Sequence, residues 1–227
     1  RTLVVAQARG LHGRDGQRHS IISLTDNNVF DFASLGVPVE VIDLRRGPAS
    51  AWTLRKALRR AAPDVVLGWM YHGNLAASIL APRDVPVSWT VHHSLHDLAH
   101  EPASIRMLVR AGRWISSRET TRRIVYCSHT SRSQHEAAGY PMAKGEVIAN
   151  GFDTTMFRID PALRQRTRLE LGLADTDVVL GSFGRWHPVK DHALLIDAFG
   201  RAARERPEAL LLLAGSGIDV HNRAVAA

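Results

Sequence analysis

Apolar and polar positions along the chain keep switching between two periods. VPVEVIDL (Val37 to Leu44) is a short β-branched run that predicts a strand. SAWTLRKALRRAAP follows with apolar residues at helical spacing, opening on Ser50 as a candidate N-cap and closing before Pro63. The same exchange recurs downstream. Strand DVVLGW leads to helix HGNLAASILA, and strand VPVSWTV to a helix from Ile105 to Ser117. Strand RIVYCS leads to a helix from Ser131 to Ala138, and strand GEVIAN closes the series. Upstream, Leu3, Val4, Gln7, Ala8 and Leu11 lie at helical spacing before the Gly-rich turn GRDGQRH. SIISLTD then reads as a strand, and Phe30 to Leu35 as a turn or two of helix capped by Gly36. Strands separated by helices of this size predict parallel βαβ units, hence an α/β fold with a doubly wound sheet.

The texture changes near Asn150. NGFDTTMFRIDP carries turn residues and a proline, and LRQRTRLELGL predicts a surface helix ending at Gly172. A second alternation begins there: strand VVLGSFG, helix DHALLIDAFGRAARERP, strand ALLLLAGSG. We place one domain over residues 1–155 and the start of a second over residues 156–227. Two strands with about two helices do not cover both faces of a doubly wound sheet, so the second domain is expected to be incomplete.

Composition narrows the function classes. The formal charge is +7, almost all of it arginine, since Lys56, Lys144 and Lys190 are the lysines. A nucleic-acid surface, an anionic membrane and phosphate-bearing small substrates all fit such an excess. The arginines are dispersed, in short pairs at Arg45-Arg46, Arg59-Arg60 and Arg122-Arg123. No recognition-helix, RNP-like or Cys/His-finger pattern accompanies them, so we do not expect a nucleic-acid partner. No apolar run reaches the length of a membrane span, and no signal or transit peptide is visible. Cys127 has no second cysteine to pair with, which fits a reducing compartment, and it reads as a small core residue after a strand.

The stretch SWTVHHSLHDLAHE (Ser88 to Glu101) gathers His92, His93, His96 and His100. The i, i+4, i+8 spacing of His92, His96 and His100 would align them for zinc on a helix. The β-branched run before them instead puts His92 and His93 at a strand end, and neither HExxH nor a cysteine cluster completes a site. No metal site is therefore expected.

Three stretches carry a resemblance to a known family. VIANGFDTTMF (Val147 to Phe157) resembles the N-G-[IVF]-D-x-x-x-F signature of family-4 glycosyltransferases of the GT-B fold. GSFGRWHPVKDHALLIDAF (Gly181 to Phe199) resembles their G-R-x4-K-[DG] element. GWMYHGNLAASILA with VSWTVHHSL resembles the W-M-Y-H-x-N-L and W-x-[IV]-R-H-S-L pair of bacterial cell-surface polysaccharide members. Order and spacing hold over almost the whole chain.

The resemblance implies two Rossmann-like domains facing across a cleft, the first binding the acceptor and the second a nucleotide-sugar. It implies transfer with retention of anomeric configuration and no cofactor or essential metal. The acceptor would be a cell-envelope glycan or lipid-linked molecule. The expected location is the cytoplasm, and the arginine excess fits a peripheral approach to the anionic inner face of the plasma membrane, although no basic amphipathic helix stands out in the pattern. His93 inherits the motif histidine and a catalytic role, while His92 replaces an arginine. His96 and His100 have no motif partner and read as solvated loop residues. Tyr71, His72 and Asn74 would line the acceptor side, Asn74 doubling as a candidate helix cap. Arg185, Lys190 and Gly184 would hold the donor diphosphate. Their own chemistry agrees: a guanidinium fork after a strand and an ammonium before a helix suit a leaving diphosphate. Asn150-Gly151 reads as a hinge, and Asp153 as a turn cap.

The resemblance also places an E-x7-E donor pair beyond Ala227 and a first strand with a Gly-rich loop before Arg1. The 227 residues are therefore expected to be a fragment with little transferase activity alone, the intact protein being the enzyme. The alternative is a non-catalytic binding or remnant protein on a degenerate transferase fold, which the change at His92 favours. A GT-B epimerase or phosphorylase would need a different His/Glu set or a cofactor lysine, and neither is seen.

Overall fold

The computed structural model describes residues 18–25, 36–95, 97–219 and 221–222. The expected first helix, the helical turn at Phe30 to Leu35, and His96 lie outside them. The chain divides into two compact units, Arg1–Asp153 and Thr154–Ala227.

In the first unit β1 (Ile21–Ser23) and β2 (Val39–Val41) form a parallel pair. A four-stranded parallel sheet follows in the order β3 (Val66–Trp69), β4 (Val87–Val91), β5 (Thr121–Tyr126), β6 (Gly145–Val147). Helices α2 (Met70–Leu80), α3 (Ala103–Ser116) and α4 (His129–Ala137) connect these strands, and α1 (Pro48–Ala61) precedes them. The expected parallel α/β architecture is what the strands form.

The core sits around β4, whose Val87, Trp89, Thr90 and Val91 are all buried. VSWTV alternates in sequence, with Val87, Trp89 and Val91 buried on one face and the hydroxyl-bearing Thr90 buried on the other. The Trp89 indole N–H donates to Ser78 Oγ on α2 at 2.8 Å, and Ser78 in turn lies 3.0 Å from Thr121 Oγ1 on β5. A polar pin thus fixes α2 against both strands where a bare apolar contact would allow sliding. On α1, Leu54, Ala57 and Leu58 face inward. This helix starts earlier than expected. Pro48 occupies its first turn, where a missing N–H costs nothing, and Ser50 lies inside the helix, its hydroxyl donating to Gly47 O at 2.5 Å. Ser50 is therefore not the cap.

Helix α2 also begins early, at Met70, which has φ of 59°. A methionine in left-handed backbone is strained, and such strain tends to collect where a site is built. The turn is compact because of Gly68: a Cβ there would lie 2.6 Å from both Cα and Oδ1 of Asn74.

The second unit contains α5 (Pro161–Glu170), the parallel pair β7 (Val178–Phe183) and β8 (Ala209–Ala214), and α6 (His192–Ala203). Asp160 caps α5, accepting from Leu163 N at 2.9 Å, and Gly172 takes a positive φ of 67° just past its end. Val178, Leu180, Phe183 and Leu210 on the two strands are exposed.

Candidate functional site

The histidine stretch leaves the end of β4, as its β-branched lead-in predicts. Trp69, ending the neighbouring β3, stacks on the His92 ring with centroids 4.3 Å apart. The His92 backbone N–H points at Met70 Sδ, 3.2 Å away, so the strained turn into α2 grips the strand end. Burial lowers the pKa of His92, and a hydrogen bond with the Asn150 side chain opposes that shift. Where the motif has a permanent cation, this chain has a stacked imidazole whose charged form is disfavoured.

His93 is held from three sides. Its backbone carbonyl accepts from Ser131 Oγ at 2.6 Å. Its Nδ1 lies 3.0 Å from the Tyr71 hydroxyl, and its Nε2 lies 3.6 Å from Glu101 Oε1, outside hydrogen-bond length. The His93 side chain is 33% exposed and Glu101 17%. The Tyr71 hydroxyl reaches a second imidazole, His135 Nε2, at 2.7 Å, and His135 Nδ1 lies 2.7 Å from the Ser131 carbonyl. Ser131 and His135 stand one turn apart on α4, both fully buried, so one helix face secures the backbone and, through Tyr71, the ring of His93. Burial pushes the His135 pKa down to about 4, against the hydrogen bond to Ser131, so this ring is neutral near pH 7. Burial also holds the Tyr71 phenol well above its ordinary range.

Two expected cleft residues need correcting. Asn74 is neither a lining residue nor a cap. It sits fully buried inside α2, where its Nδ2 donates to Thr90 O at 3.0 Å and its Oδ1 faces Thr90 N at 3.4 Å. The amide thus bonds backbone groups of β4 from within the helix. Tyr71 is also buried, so it supports His93 from behind rather than facing a substrate. His72 is exposed at the start of α2. His100 is exposed and pairs with Asp97 at 2.8 Å across a short turn. Among the described residues, no three His, Cys, Asp or Glu side chains gather as metal ligands. Cys127 directly follows β5, half-buried, its backbone N–H donating to Val91 O at 3.2 Å.

The second unit builds a different polar surface at the end of β7. Arg185 and Lys190 are exposed, and Lys190 folds its stem over Gly184, where a Cβ would meet its Cε at 3.4 Å. The stem carbons of Lys190 thus pack over Gly184 at ordinary contact distance. His192, the first residue of α6, is buried, stacks on Trp186 at 5.0 Å, and has Nε2 3.2 Å from the Arg185 carbonyl. The loop carrying Arg185 is thereby tied to the start of the helix. Asp191 caps that helix from a left-handed φ of 45°, accepting from Leu194 N at 3.3 Å. Lys190 thus lies against Gly184, the residue before Arg185. His93 belongs to the other unit.

Four residues of these arrangements were not singled out from the sequence: Glu101, Ser131, His135 and His192. The pair Ser131 and His135 had a signal, a four-residue spacing in a helix capped by Ser128, which accepts from Ser131 N at 3.1 Å.

The model of Glycosyltransferase Family 4 matches residues 2–156. The chain is 34% identical over 94 residues to the GDP-mannose-dependent alpha-(1-6)-phosphatidylinositol monomannoside mannosyltransferase of Mycolicibacterium smegmatis, covering 41% of this chain and 24% of that one. HepE of Anabaena, solved in complex with UDP-glucose, superposes with a TM-score of 0.79 at 19% identity over 99% of this chain. A glycosyltransferase from Rickettsia africae ESF-5 superposes with a TM-score of 0.57 at 11% identity over 91% of this chain. The chain spans 59% of the length of the HepE structure and 62% of the Rickettsia one.

Proposed function

Because this chain belongs to glycosyltransferase family 4, we propose that the whole protein is a retaining, metal-independent transferase. It moves a hexosyl group from a nucleotide-sugar to a cell-envelope glycan or lipid-linked acceptor. The observation that supports a catalytic reading most is the anchoring of His93. Its backbone and one ring nitrogen are fixed by buried partners, and its other nitrogen is left at the partly exposed side. A ring held this way can hydrogen-bond the donor sugar and the charge that develops as the glycosidic bond breaks, without first reorganising.

In the second unit Arg185 and Lys190 would meet the departing diphosphate, with the positive end of α6 behind them. Two cations there would supply the neutralisation that a divalent ion gives elsewhere. Retention is checked by NMR of the product: the full-length protein is expected to keep the donor's anomeric configuration, at a rate unchanged by a chelator. An inverted product, or loss of activity restored by Mg²⁺ or Mn²⁺, overturns the corresponding part.

We place the protein in the cytoplasm, at the inner face of the plasma membrane. The support is a face of α1 that the linear pattern did not single out. Trp52 is 60% exposed, Lys56 Nζ lies 3.6 Å from its ring centroid, and Arg59 is exposed one turn on. An interfacial aromatic with cations beside it suits an anionic headgroup layer. No helix among the described residues is long and apolar enough to cross a membrane. Sedimentation with phosphatidylglycerol vesicles should show binding that falls about fivefold for each of Lys56→Ser and Arg59→Ser, on the basis of roughly 1 kcal/mol per cation. Equal binding to phosphatidylcholine vesicles removes the proposal.

A further inference from the structure

The hydrogen bonds behind His93 run in one direction. A carbonyl oxygen can only accept, so the 2.7 Å contact between Ser131 O and His135 Nδ1 places the hydrogen on Nδ1. The His135 ring is fully buried among Tyr71, Tyr126 and Tyr140, with centroids 5.8, 5.6 and 5.3 Å away, and is neutral there. Its Nε2 therefore carries a lone pair and accepts from the Tyr71 hydroxyl at 2.7 Å. With its hydrogen committed to His135, the Tyr71 oxygen can only accept at its other contact, the 3.0 Å approach of His93 Nδ1. The reverse order would set a lone pair of His135 against the Ser131 carbonyl, two acceptors facing each other in a dry core.

We propose that Ser131, His135 and Tyr71 form a directed relay that holds neutral His93 in its Nδ1–H tautomer and leaves Nε2 as the ring atom that takes up or gives up a proton. Nε2 is the nitrogen facing Glu101, 3.6 Å away. His135 and Tyr71 touch no substrate in this scheme. They are positioning residues, set by the fold so that the imidazole presents a lone pair outward. Free imidazole side chains favour the opposite tautomer, and the hydrogen bond at the other nitrogen decides which form is kept. The catalytic use of that lone pair rests on the transferase reading; the tautomer itself rests on the hydrogen-bond geometry together with the burial that keeps His135 neutral.

The test is ¹⁵N–¹H NMR of the histidine rings in the full chain, at a pH about two units above the ordinary imidazole pKa. The His93 signals are identified by their loss in His93→Gln. In the wild type the proton is expected on Nδ1. In His135→Leu the Tyr71 hydroxyl has lost its acceptor and turns its hydrogen toward His93 Nδ1, so the His93 proton should move to Nε2. His135→Gln puts an amide oxygen in place of Nε2 and should restore the wild-type tautomer. Tyr71→Phe removes the partner of Nδ1 and should give mostly the Nε2–H form, which covers the case of an unfolded His135→Leu. A purely structural His135 would not reverse the proton on a neighbouring ring. A wild-type His93 protonated on Nε2 overturns the relay, as does a folded His135→Leu that keeps the proton on Nδ1. The readout needs no donor sugar. A protein that shows the reversal but transfers no sugar upholds the relay and rejects only the transferase reading.

Discussion

Replacing Arg185 with alanine in the full-length protein is expected to lower sugar transfer by about tenfold to a hundredfold while leaving the unfolding midpoint where it was. The magnitude follows from losing a charge-assisted hydrogen bond to the departing diphosphate, about 1.5–3 kcal/mol, at roughly 1.4 kcal/mol per factor of ten. The unchanged stability follows from exposure: the Arg185 side chain lies at the surface, and only its backbone carbonyl is engaged, by His192. Lys190→Met separates charge from packing. The methionine keeps an apolar stem over Gly184 and loses the ammonium, so a similar fall in transfer assigns the effect to charge. Steady-state rates with thermal melts on the same samples make the comparison. Wild-type rates in both variants would reduce the pair to two surface cations.

His93→Ala is expected to have the larger effect, a loss in kcat of roughly a hundredfold or more, the usual range for a positioned acid–base or hydrogen-bonding group. Most of it should fall on kcat and little on KM if the ring acts on charge that develops during bond breaking. The fold should survive, because the Ser131 hydroxyl holds the His93 backbone carbonyl and alanine keeps that carbonyl. A rise in KM with kcat intact would make His93 a ground-state contact only.

The alternation of strands and helices was legible because each element carries its own period. VSWTV alternates with period two and becomes a buried interior strand, while α1 shows its inward stripe at Leu54 and Leu58. Element starts were less legible. Nothing in the sequence marks Met70 as a left-handed residue, so α2 was expected two residues late. Asn74 misled for a related reason: its neighbour Gly68 is six residues away along the chain but in van der Waals contact in space. For the candidate site, motif position pointed to His93, Arg185, Lys190 and Gly184. It could not find His135, because HTSRSQHEA is a polar helix that reads as surface, and the burial of Ser131 and His135 comes from packing against His93, Tyr71, Tyr126 and Tyr140. His192 was hidden in the same way, as a polar first residue of a helix that turns inward onto Trp186.

The central claim is that the whole protein uses a nucleotide-sugar. The most direct measurement is release of free nucleoside diphosphate from UDP- and GDP-sugars by the full-length protein, with and without an acceptor-containing membrane extract. The account predicts release from at least one donor, stimulated by the extract and lost in the Arg185→Ala, Lys190→Met double variant. Donor binding without release in any combination would contradict it and leave a non-catalytic protein on a transferase fold.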